Sequence, residues 1–155
     1  MNDEFPTSGR LGGIDYGTVR VGVAISDWGQ TLASPHVNYN RQQEAQDAKF
    51  FRNLAKAEEL VGWVIGLPIH LRGDESQKSF EAREFGKWLH EQTGLPIAYV
   101  DERFSSAFAE NLLNGAGLTS KQRKKRRDML AAQIILTAYL ESNRTTDLNQ
   151  PLGDN

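Results

Sequence analysis

The chain has no cysteine, which excludes disulfides and every thiolate metal site. It has no apolar run long enough to cross a membrane. Its opening, MNDEFPTSGR, is polar and lacks the apolar core of a secretion signal. A cytoplasmic address is therefore expected. Of the three histidines, His36 and His90 have no partner visible in the sequence, and His70 offers a minor substrate contact at best. One further absence is local. The run Lys121, Arg123, Lys124, Lys125, Arg126, Arg127 contains no acid, although the whole chain carries a net charge of −2. Taking those six charges away from −2 leaves the remainder at −8. An acidic molecule with one concentrated basic segment suits a polyanionic partner bound at one place.

What is present fits one compact domain of 155 residues, 39% of them hydrophobic. Residues 1–9 and 143–155 are polar and read as loose tails around a single domain over 10–142. Leu11 to Asp15 is a short apolar strand. VRVGVAIS over 19–26 alternates, with Val19, Val21, Val23 and Ile25 on one face, and a third strand is expected near Leu32 to Val37. Gly12, Gly13 and Gly22 suggest bulges or close backbone approach.

A helix follows over roughly 42–60, and VGWVIGLP over 61–68 reads as a strand buried on both faces. The next helix spans Ser76 to Thr93, with Phe80, Phe85, Trp88 and Leu89 as anchors and Gly94 as its stop, and IAYVD is the last strand. Helices near 105–114 and 127–142 complete the domain, joined by the connector NGAGLTSKQRKK. The order β-β-β-α-β-α-β-α-α implies an α/β fold: an antiparallel meander followed by βαβα crossovers in one mixed five-stranded sheet flanked by helices.

Three carboxylates stand where they need a reason. Asp15 closes the first strand, and an Asp there is by itself more often a turn residue. Gly17 and Thr18 shift that balance, because backbone N–H groups and a hydroxyl beside a carboxylate can hold both a metal and a phosphate. Actin-like ATPases and nucleases with a related sheet share this device. Glu102 ends the last strand in DERFSS, where Asp101 and Glu102 point to opposite faces and a surface pair with Arg103 is the plainer reading. Asp128 opens the last helix and shares a face with Ala131, Ala132, Ile135 and Tyr139, although an Asp there also complements the helix dipole. Strand ends and helix starts can meet at one sheet edge. Gathered there, three carboxylates call for a hard divalent cation.

Taken together, LGGIDYGTVRVGVAISD, VIGLPIHLRGDES, DERFSSAFAENLL and AGLTSKQRKKRRDMLAAQIIL closely resemble the YqgF/RuvX family over roughly residues 10–141. This family is Holliday-junction-resolvase-like, has an RNase H-like fold and is associated with 5′-end processing of the small-subunit ribosomal RNA precursor. The resemblance implies Asp15, Glu102 and Asp128 as catalytic residues and ligands of Mg²⁺ or Mn²⁺. Gly12, where a bulky aliphatic residue is usual, and Arg72, where an acidic or polar one is common, depart from the family pattern. Gly17, Thr18, Arg20 and Arg103 are expected to orient the scissile phosphate, with Lys124, Lys125, Arg126 and Arg127 on flanking backbone.

The expected activity is a metal-dependent nuclease acting on structured nucleic acid, foremost pre-16S rRNA. The alternatives are a resolvase of branched DNA and a catalytically idle nucleic-acid-binding module. Ribosomal particles are a further expected partner, membranes are not, and monomer and homodimer both remain open.

Overall fold

The computed structural model describes residues 5–68, 76–102 and 119–148, the last without the side chains of 123–129 and 143–148. Strands β1 (Arg10–Asp15), β2 (Arg20–Ser26) and β3 (Ala33–Asn40) form the antiparallel meander. Helix α1 (Glu44–Ala57), β4 (Leu60–Leu67), α2 (Gln77–Thr93), β5 (Ile97–Asp101) and α3 (Ser120–Leu148) follow. The expected helix over 105–114 lies outside the described residues.

The sheet order is β3-β2-β1-β4-β5, with β4 parallel to both β1 and β5. Crossovers through helices put the carboxyl ends of β1, β4 and β5 at one edge, where open α/β sheets bind their ligands.

Period-two alternation divides the interior between two faces. Ile14, Val21, Val23, Ile25, Trp63 and Ile65 point to α1 and α2, where they meet Phe51, Phe85 and Leu89. Leu11, Ala24 and Val64 point to α3, where they meet Ala132, Ile135, Leu136 and Leu140. Gly12 falls on the first face, opposite Trp63 in the parallel register. A Cβ there would stand 2.5 Å from the Trp63 ring, so the indole occupies the space of the missing side chain.

Four expectations change. Phe80 is 54% exposed rather than an anchor. It lies nine residues, about two and a half turns, from Leu89 and so on the opposite side of α2. Val19 is 65% exposed because it belongs to the turn before β2. Residues 5–9 are not loose. The Phe5 ring packs edge-on to Tyr139 at 5.7 Å, and Gln30 Nε2 donates to the Gly9 carbonyl at 3.0 Å.

Finally, α3 extends beyond the expected bounds at both ends and takes in the basic run and residues up to Leu148. A reciprocal capping box starts it early: Gln122 N donates to Thr119 Oγ1 at 3.1 Å, and Thr119 N donates to Gln122 Oε1 at 2.8 Å.

Candidate active site at the carboxyl edge of the sheet

Asp15 is the last residue of β1 and pairs with Gly22, which in turn pairs with Asn38. The chain then turns back through Tyr16 to Val19. Gly17 is required in this turn, since a Cβ would run into the carbonyl oxygen of Arg20. Beside the turn opens a cleft of about 630 Å³ lined by Asp15, Gly17, Thr18 and Arg20 from one wall and by Gln77, Lys78 and Glu81 from α2.

Glu102 follows β5 directly. Ile97 and Tyr99 pack toward α1 and α2, while Ala98 and Val100 pack toward α3. Alternation therefore sends Asp101 to the first face and Glu102 to the α3 face, the one Asp15 shares. The contacts agree. A Cβ on Gly66 would lie 2.6 Å from Ile135 Cδ1 and 3.0 Å from Glu102 Cγ, so the glutamate stem runs between β4 and α3. Partial burial holds the Glu102 carboxyl above its ordinary range, and the negative charge of Asp15 pushes it further the same way. Lys78 pulls in the opposite direction, and Asp101 adds a smaller push upward. The two expected acids thus share one electrostatic field.

Position 128 lies on α3, one turn before Ala132; its side chain is outside the described residues. The path of the helix still matters. Leu136 lies over Gly13, and Ala132 lies beside Gly22 and Asp15, so α3 runs antiparallel to β1. One more turn toward its N-terminus advances about 6 Å past the end of β1, which brings the backbone of 128 to the same edge. Of the expected packing face, Ala132 and Ile135 are buried and Tyr139 packs against their cluster, while Ala131 is half-buried.

Arg103 and His70 lie outside the described residues, as do the side chains of Lys124, Lys125, Arg126 and Arg127, whose backbone belongs to α3. Among the described residues no group of three His, Cys, Asp or Glu is gathered as for a metal. His90 Nδ1 lies 2.8 Å from the Leu95 carbonyl, a contact that ties the end of α2 to the segment after it.

Asn38, Gln77, Lys78 and Glu81 line the cleft but were not among the expected site residues. The α2 residues had a usable signal. A helix that directly follows β4 begins near the carboxyl edge, so its first turn overlooks that edge.

The raised Glu102 carboxyl has a measurable consequence for metal-free protein. A carboxyl bound more tightly to its proton when folded contributes stability that is full below 4.5 and is lost as pH rises through the folded-state value. Glu102→Gln should therefore become progressively more stable than wild type as pH climbs above 4.5 in denaturant titrations. A stability difference that stays flat across that window would contradict the placement of Glu102.

A family model described as RuvX, Holliday junction resolvase, matches residues 9–142. A Rhodopirellula baltica protein named "Putative pre-16S rRNA nuclease" is 47% identical over 142 residues, covering 92% of this chain and 82% of its own. A Koribacter versatilis protein of the same name is 34% identical over 153 residues, 99% of each chain. Among solved structures, Thermus thermophilus RuvC in complex with Holliday junction substrate superposes with a TM-score of 0.54 at 10% identity, covering 88% of this chain and 96% of that one. The yeast mitochondrial Holliday junction resolvase Ydc2 gives 0.52 at 11% identity, with coverage of 94% and 82%. At such identities the likeness is one of fold, and that fold is the expected RNase H-like sheet.

Proposed function

The chain belongs to the RuvX (Holliday junction resolvase) family, and on that premise we propose that it is a metal-dependent endonuclease whose main substrate is the 5′ region of pre-16S rRNA. One observation carries the reading: Asp15 and Glu102 converge on the α3 face at the carboxyl edge of the sheet, and the charge of one raises the carboxyl of the other.

A site that opposes its own negative charge is suited to a cation, and an all-oxygen donor set suits a hard one. Asp15 and Glu102, with Asp128 from about two turns inside α3, would hold Mg²⁺ or Mn²⁺. Such an ion supplies Lewis-acid polarisation of a phosphate oxygen and lowers the pKa of water.

The remaining work falls to the chain. Gly17, Thr18 and Arg20 line the cleft; the amides of this turn, the Thr18 hydroxyl and the Arg20 guanidinium would orient the scissile phosphate. Arg103 adds to this rim. Lys124, Lys125, Arg126 and Arg127 hold backbone flanking the cut, as their grouping at the start of α3 suggests. The net reaction adds water across one phosphodiester P–O bond. The place of action is the cytoplasm, on free precursor or on ribosomal particles.

Lys78 joins this set from the α2 side of the cleft. Lys78→Ala should weaken RNA binding and reduce the slope of log affinity against log salt by about 0.7–0.9, the contribution of one phosphate contact. An unchanged slope would remove Lys78 from the interface.

The deciding experiment compares cleavage of pre-16S rRNA with cleavage of a four-way DNA junction, with and without Mg²⁺. Mg²⁺-dependent cutting of the RNA at its 5′ region is expected. Preferential cutting of the junction would move the activity to branched DNA. Tight, salt-sensitive binding without cutting of either would leave an idle binding module.

A further inference from the structure

Behind the turn that follows Asp15 sits a buried charge with no part in the chemistry above. Asp47, on α1, has a side chain only 2% exposed. Its Oδ1 accepts from the Tyr39 hydroxyl at 2.7 Å and from Gln42 N at 2.9 Å, and its Oδ2 accepts from Arg41 Nε at 3.3 Å. Burial and the neighbouring Asp47 carboxylate push the Tyr39 phenol up to about 12, which keeps it a donor.

Arg41 then reaches away from this anchor. Its Nη1 donates to the Gly17 carbonyl at 3.3 Å and to the Tyr16 hydroxyl at 3.5 Å. Its backbone N–H donates to the Val19 carbonyl at 2.9 Å. The guanidinium also stands over the Tyr16 and Phe85 rings at 5.7 and 5.6 Å from their centroids. Neither Arg41 nor Asp47 lines the cleft.

We propose that Arg41, anchored by Asp47, is a positioning residue for phosphodiester hydrolysis: it clamps the Tyr16–Val19 turn from behind and so sets Asp15 and the Gly17–Thr18 amides toward the cleft. This role rests on the nuclease reading above. A turn built around Gly17 has a backbone with few restraints of its own, yet it must present a carboxylate and phosphate-binding amides in fixed relation.

A planar guanidinium can bond the Asp47 carboxylate through Nε and the Gly17 carbonyl through Nη1 at the same time. An ammonium is a point charge on a flexible stem and cannot hold both in one plane. Burying an ion pair is in addition a poor route to stability, since apolar replacements of similar volume often stabilise as well or better. Its hold on the Gly17 carbonyl, two residues beyond Asp15, is better explained by the position it imposes.

The test uses the full chain with Arg41→Lys, which keeps a cation for Asp47 but removes the fork. Turnover of pre-16S rRNA should fall about 10–100-fold, the range seen when partners that orient metal ligands are lost. KM should rise no more than a few-fold, less than kcat falls, because the groups that touch RNA are kept and only their placement is loosened. Calorimetric affinity for Mn²⁺ should weaken about tenfold or more. Hydrogen exchange should quicken at the amides of Gly17 to Val19 while the β4 and β5 amides keep their protection.

If Arg41→Lys fails to fold, Tyr39→Phe removes one hydrogen bond from the anchor and should give the same pattern at a few-fold amplitude. A variant that cleaves, binds Mn²⁺ and exchanges like an active wild type overturns the clamp alone. Exchange that quickens uniformly across the sheet also overturns it, in favour of a purely structural pair. A wild type that neither cleaves nor binds Mn²⁺ overturns the nuclease reading and this role with it.

Discussion

Asp15→Asn should eliminate Mg²⁺-dependent cleavage of the RNA precursor and leave the metal-free protein as stable as wild type, or more so. The loss of turnover should exceed the roughly 10–100-fold caused by removing a residue that only orients a metal ligand. The stability half of the result follows from Glu102. Asp15 raises the Glu102 carboxyl through like charge, so neutralising Asp15 relieves a repulsion that the folded state alone carries. A group kept at a cost to stability is expected where function requires it.

Mg²⁺ should separate the two proteins further. At a hundred times its Kd, an ion that binds only the folded state stabilises by about 2.7 kcal/mol. Wild type should gain that increment in thermal unfolding, and Asp15→Asn should gain little of it. A variant that melts well below wild type without metal would mean that Asp15 is a turn-holding residue. A variant that still cleaves would remove it from the mechanism.

The meeting of Asp15 and Glu102 is legible in the sequence because the relevant signals are local. Alternation in VRVGVAIS and IAYVD places side chains on a face with no knowledge of the partner strand, and the stem of Glu102 is found on the α3 side that it assigns. The β-β-β-α-β-α-β order then requires Asp15 and Glu102 to end at one edge.

The misses come from features whose meaning depends on distant or overlooked partners. Thr119 and Gln122 form a capping box, but the glycines just before them, in NGAGLTS, look like the end of a connector and hide the true start of α3. Phe80 is hydrophobic enough to suggest an anchor, yet Ser79 takes the buried place beside it. Asp47 looks like a first-turn acid serving the dipole of α1. Nothing in its neighbourhood shows that Arg41 links it to a carbonyl 30 positions earlier, at Gly17. Asn38 reaches the cleft through tertiary placement alone.

The largest stability effect among the site's neighbours is expected at Gly13, where packing of the sheet and placement of the third acid become one problem. A Cβ at Gly13 would stand 2.7 Å from Leu136 Cβ and 3.1 Å from the Ala132 carbonyl oxygen. These atoms are the stem of a core side chain and the helix backbone, and neither can rotate aside. Gly13→Ala must therefore push α3 off the sheet, and overpacking of this kind costs about 1–3 kcal/mol. For a domain of this size that is a fall of roughly 2–12 °C in Tm.

Gly22→Ala provides the contrast. Its Cβ would meet Asp15 Cβ at 3.5 Å and Ala132 Cβ at 3.6 Å, ordinary contacts, so it should be tolerated although it lies closer to the acid. The helix that Gly13→Ala displaces is the one that carries position 128 to the carboxyl edge. Turnover measured well below the Tm of the variant should then fall further than its unfolded fraction accounts for. Adding Mg²⁺ should recover only part of it, because more ion cannot restore a ligand moved out of reach. If Gly13→Ala loses stability but keeps full turnover per folded molecule, α3 does not supply the third carboxylate, and the site must be completed from elsewhere in the chain.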